Sequence, residues 1–126
     1  MGGGALLEHS HAINLWQTIS DELGYGKIRE VSAKLHYFKD NQLEYDKISF
    51  LNVKSNNGLV GRIIQDVVTF PTRKIARVQC KNDFFEWKCG HTPESDCYKH
   101  GKFKSGEKTF EFKKKRPDDF INELKY

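Results

Sequence analysis

Gly2-Gly3-Gly4-Ala5-Leu6-Leu7-Glu8-His9-Ser10-His11-Ala12-Ile13-Asn14-Leu15-Trp16 is the segment on which the reading of the fold turns. From it onward, Ala12, Leu15, Trp16, Ile19 and Leu23 recur at spacings of three and four. That is the signature of an amphipathic helix. Gly24 follows as a residue that takes a left-handed C-cap without steric cost. One long helix is therefore expected over about Ala5 to Leu23. On it Glu8, His11 and Asn14 fall at steps of three, and residues three apart on a helix are neighbours. A His beside a carboxylate is a usual acid/base pair, because imidazole titrates near neutrality and the carboxylate can orient the ring. The plainer reading is a helix turn that tolerates polar residues. His9 points to a different side.

Beyond Gly24 the pattern changes to alternation. Ile28 to Phe38, Tyr45 to Lys54, Leu59 to Phe70, Lys74 to Cys80, Phe84 to Cys89 and Lys108 to Lys114 read as strands. They are separated by turn chemistry at Lys39-Asp40-Asn41, Ser55-Asn56-Asn57-Gly58, Pro71-Thr72-Arg73 and Lys81-Asn82-Asp83. Gly90 to Gly106 is irregular and rich in Gly, Pro, Ser and charge, and is expected to be a surface loop. Pro117-Asp118-Asp119 is suited to open a short last helix, since Pro fits the first turn and acids favour the positive end of the dipole. The expected architecture is α+β: one open, mostly antiparallel sheet of five to six strands, packed by the long N-terminal helix and a short C-terminal helix.

A length of 126 residues corresponds to a single domain spanning 1–126, with an apolar share of 37% and nine Phe to build its core. No apolar run approaches the roughly 20 residues needed to cross a bilayer. Three cysteines do not close a disulfide framework and fit a reduced, cytoplasmic setting. The formal charge of +4 is concentrated late, in Lys102, Lys104, Lys108, Lys113, Lys114, Lys115 and Arg116. A nucleic-acid patch would use such a cluster. So would a lysine-protected strand edge, and the composition favours the edge.

Two further groupings stand out. Cys89, His91, Cys97 and His100 place four ligands of zinc type within 12 residues, though without the Cys-x2–4-Cys spacing of common fingers. Two Cys and two His in a polar loop is the plainer reading. Cys80 reads as a small buried apolar residue. Tyr98, Phe103, Phe110 and Phe112 lie among Lys99, Lys102, Lys104 and Lys108. Rings beside lysines can stack single-stranded bases, but the alternation at Phe110 and Phe112 favours core packing.

The opening segment resembles the start of the main helix in the C-terminal domain of the glucose-fructose oxidoreductase, inositol dehydrogenase and rhizopine-catabolism family of NAD(P)-dependent oxidoreductases. Gly26 to Ala33, Gly58 to Val68 with its Asp66, Phe84-Phe85-Glu86-Trp87 and Arg116 to Tyr126 look like later segments of that domain, in the same order. The resemblance implies that His11 is the general acid/base on a sugar- or cyclitol-type hydroxyl or carbonyl, that Glu8 assists it, and that Asn14 binds substrate. It implies an excised C-terminal substrate and oligomerisation domain, forming a homo-oligomer through its open sheet face. The family's Rossmann domain and glycine fingerprint are missing, so NAD or NADP belongs to a parent enzyme, no cofactor to this chain, and the chain alone is expected to be inactive. The alternative is a stand-alone binding module: a zinc-stapled protein-interaction domain or a weak nucleic-acid binder.

Overall fold

The N-terminal helix is two elements, α1 (Ala5–Glu8) and α2 (His11–Glu22). The single long helix is corrected on this point, and the cause is tertiary. Asp46 accepts the Leu6 backbone N–H at 2.9 Å, and the Gln65 side-chain amide donates to the Ala5 carbonyl at 3.2 Å. These bonds hold α1 against the sheet, and Ala5 is fully buried. A Cβ at Gly4 would overlap the Asp46 carboxylate, so Gly4 serves close approach of backbone to that side chain. The computed structural model describes residues 3–8, 10–92 and 94–114. The helix expected from Pro117, together with Lys115 and Arg116, lies outside the described residues, as do the side chains of Glu8 and His91.

At its far end α2 closes as expected. Gly24 adopts φ 78°, its N–H donates to the Asp21 carbonyl at 2.9 Å, and the Tyr25 N–H donates to the Ser20 carbonyl at 2.8 Å. This is the paired hydrogen bonding of a Schellman motif.

The described residues form seven strands in two separate antiparallel sheets, not one sheet of five to six. The first holds β1 (Ile28–Lys39), β2 (Glu44–Ser55) and β3 (Val60–Asp66) in that order; the second holds β4 (Lys74–Gln79), β5 (Asp83–Thr92), β6 (Ser95–Lys102) and β7 (Gly106–Lys113). The α+β class with antiparallel sheets stands; the single layered sheet does not. β3 stops four residues short of Phe70 because the Asp66 carboxylate accepts the backbone N–H of Val68 and Thr69 and the Thr69 hydroxyl. Pro71 then lacks an N–H to continue a ladder. The two sheets fall in two compact units, Met1–Thr69 and Phe70–Tyr126.

In the first unit Leu51, Val53 and Ile63 form the buried core, with Leu6, Ala12, Ile13, Trp16 and Ile28 packed against it. Ile13, rather than Leu23, completes the apolar face of α2; Leu23 is exposed. Gly61 makes room for the Trp16 indole, which a Cβ there would overlap. Gln17 stitches the start of β1 to the helix by accepting the Ile28 N–H at 2.9 Å. In the second unit the four strands form a meander, and β6 runs through the segment expected to be a loop. No helix among the described residues is long and apolar enough to cross a membrane.

Candidate functional site

Antiparallel pairing puts directly opposed residues on the same face. In the second unit Ala76 pairs with Trp87 and Trp87 with Tyr98, Phe85 with His100, Tyr98 with Phe110, and Asp96 with Phe112. One face of the meander therefore gathers Phe85, Trp87, Tyr98, His100, Phe110 and Phe112. The rings touch: Tyr98 lies 5.7 Å from Phe85 and 5.1 Å from Phe112 between centroids, and His100 stacks on Phe110 at 5.4 Å with 9° between planes. The core packing expected for Phe110 and Phe112 does not occur. They are 48% and 62% exposed, and Phe85 is 42% exposed. Meander registry gathers the rings on one side of the sheet.

The same register distributes the charges, with cations on both faces: Arg77, Lys88, Lys99 and Lys113 lie on the side away from the rings. Lys74 pairs with Cys89, His100 with Lys108 and Asp83 with Lys102, so Lys74, Lys102 and Lys108 share the aromatic face. Glu86, Glu107 and Glu111 pair with Lys99, Gly101 and Cys97 on the other. Two acids fall on the ring side, Asp83 at the strand tip and Asp96. Asp96 is 5% exposed and fully engaged: it accepts from Trp87 Nε1 at 3.0 Å, from the Gly90 N–H at 2.8 Å and from Lys114 Nζ at 2.6 Å. Burial alone would raise its pKa, but hydrogen bonds from Lys114, Gly90 and Trp87 outweigh it and hold the carboxyl below its ordinary value. The Asp96 contact in turn raises Lys114. Tyr98 is raised chiefly by burial and then by the nearby Asp96 charge. The clasp of Trp87, Asp96 and Lys114 ties β5 and β6 to the residue that follows β7, on the ring side of the sheet.

The residues singled out from sequence are distributed otherwise. His11 and Asn14 are both exposed and lie one turn apart on α2; Glu8 ends α1, across the break at Ser10. Cys89 and His100 sit on the aromatic face, whereas Cys97 pairs with Lys88 on the other and is buried. The sheet thus separates Cys97 from both. Among the described residues no cluster of three or more His, Cys, Asp or Glu is placed to hold a metal. Cys80 is exposed, not buried. Phe85, Trp87, Lys74 and Asp96 were not legible as parts of one surface. Alternation marks which residues share a face, but not which face is left uncovered.

Comparison with known proteins returns no match for this chain among protein-family models, curated proteins or solved structures.

Proposed function

We propose that the protein binds single-stranded nucleic acid on the aromatic face of the four-stranded sheet. The observation that carries this reading is a contiguous set of rings, with Phe85, His100, Phe110 and Phe112 exposed and Trp87 and Tyr98 half-buried, bordered by Lys74, Lys102 and Lys108. The glutamates of the strands lie on the opposite face, among its own basic residues. Stacking on aromatic side chains is sequence-tolerant, because every base has a π-face, and lysines at the border track the phosphates. The charge of the chain supports it. Residues 70–126 contain 14 of the 21 Lys and Arg and 9 of the 17 Asp and Glu, a surplus of five; residues 1–69 contain 7 and 8, a deficit of one. All of the net positive charge belongs to the unit that bears the rings.

The test is fluorescence anisotropy with a short labelled homopyrimidine strand and its duplex. Binding is expected to favour the single strand, and log K to fall linearly with log salt. Absence of binding at low salt would overturn the reading. Equal weakening by Phe112→Ala and by a control change on the glutamate face would do so too. A second reading, the substrate domain of an NAD(P)-dependent oxidoreductase, has in its favour that His11 and Asn14 stand exposed side by side on α2. It rests otherwise on the sequence resemblance.

A further inference from the structure

The sheet of the first unit ends on two edge strands, β1 and the shorter β3. β1 is a sheet edge twelve residues long, and residues 29–34 and 36–39 of it are exposed. Opposed pairing places Val31, Ala33 and Leu35 on the same side of the sheet as Val53, Leu51 and Ser49, the side that α1 and α2 cover. The helices pack on β2 and β3, however. The β1 part of that layer is bare: Val31 is 59% exposed and Tyr37 54%. A long edge with apolar residues and unpaired backbone groups is a template for another strand.

We propose that the edge is completed by β1 of a second copy of this chain, giving a two-fold dimer whose sheet runs through six strands. β1 carries irregularities between Ile28 and Glu30 and between His36 and Tyr37, and the regular run between them is Glu30 to His36, centred on Ala33. Antiparallel pairing about that centre sets Ala33 opposite Ala33 of the second copy at the dyad. It sets Val31 opposite Leu35 on the apolar side, and Glu30 opposite His36 and Ser32 opposite Lys34 on the polar side. No like charges meet, and every inward residue stays inward, as a sheet with one covered face requires. Shifting the centre to Lys34 would set two lysines against each other. A two-fold interface is self-complementary in this way, and the symmetric register supplies the second copy as the partner in preference to an unrelated strand.

Sedimentation equilibrium of the full chain is expected to show a reversible dimer, and Val31→Pro to return it to a monomer with unchanged far-UV circular dichroism, since the Val31 N–H faces away from β2 and Pro cannot donate to the new ladder. Ala33→Cys in a Cys80→Ser, Cys89→Ser background is expected to form an intermolecular disulfide on mild oxidation, identified by peptide mass as the 33–33 pair, while Lys39→Cys is expected to form none. A monomer at all accessible concentrations would overturn the proposal. So would a dimer untouched by Val31→Pro that fails to cross-link through residue 33. Neither readout involves nucleic acid, so this result and the binding result stand or fall separately.

Discussion

Asp96 is the residue on which the aromatic face depends most. It is buried, and its oxygens accept hydrogen bonds from an indole, a backbone amide and an ammonium. Asp96→Ala would leave the Trp87 and Gly90 donors without their acceptor, at a cost of about 1–3 kcal/mol, measurable by urea denaturation. The pH dependence has a definite sign. The folded pKa of Asp96 lies below the unfolded one, so in acid the unfolded chain binds more protons and stability rises with pH. The contribution is present above the unfolded carboxylate pKa and is lost as pH falls through the folded one. Lys114 is raised, so its contribution is present below the unfolded lysine pKa and is lost as pH rises through the folded one. Asp96→Asn is expected to flatten both limbs of a stability–pH profile. A profile parallel to the parent's would show that the clasp does not form. On the surface above, Phe112→Ala removes a stacking ring worth about 1–3 kcal/mol per base. Single-strand affinity should then drop roughly tenfold or more while the protein stays folded.

At the scale of the element, Gly61 and Trp16 define how α2 seats on β3. The indole occupies the space a Cβ would take. Gly61→Ala is expected to destabilise the first unit by about 1–3 kcal/mol, the usual penalty for overpacking, and a melting temperature equal to the parent's would refute that seating. The strands with clean alternation, such as Ile28 to Phe38 and Tyr45 to Lys54, were legible from sequence to within a residue or two. β6 was not. Ser95-Asp96-Cys97-Tyr98-Lys99-His100-Gly101-Lys102 reads as polar loop because its buried members are Ser95, Asp96, Cys97 and Gly101, and what makes that burial tolerable is tertiary. Asp96 is neutralised by Lys114, and the Ser95 hydroxyl bonds Thr92 and Glu111 at 2.6 Å each. No local pattern encodes partners up to 18 residues away. The split of the first helix was hidden for the same reason: Asp46 and Gln65, which hold α1, lie at sequence separations of 40 and 60 residues.

At the scale of the whole molecule, the division of charge between the two units carries a prediction of its own. Nucleic-acid affinity governed by the second unit should depend on salt with a slope set by the few lysines around the rings, near −0.7 per phosphate contact for a single strand. Lys74→Gln or Lys108→Gln should each make that slope shallower by about one contact. Substitutions of lysines in the first unit should leave it unchanged, and a slope insensitive to all of them would mean that the lysines do not meet phosphate.

Each unit also contains one of the two tryptophans, Trp16 in the first and Trp87 in the second. The molecule thus has a separate intrinsic fluorophore for each half. Trp16→Phe leaves emission that reports only on the meander, where Trp87 lies among rings that a stacked base would cover. Trp87→Phe leaves emission from the helix–sheet packing alone. If the two variants show coincident denaturation midpoints, the halves unfold as one cooperative system. Separate midpoints would make them independent folding units, and quenching by oligonucleotide in the Trp16→Phe protein alone would locate the ligand optically.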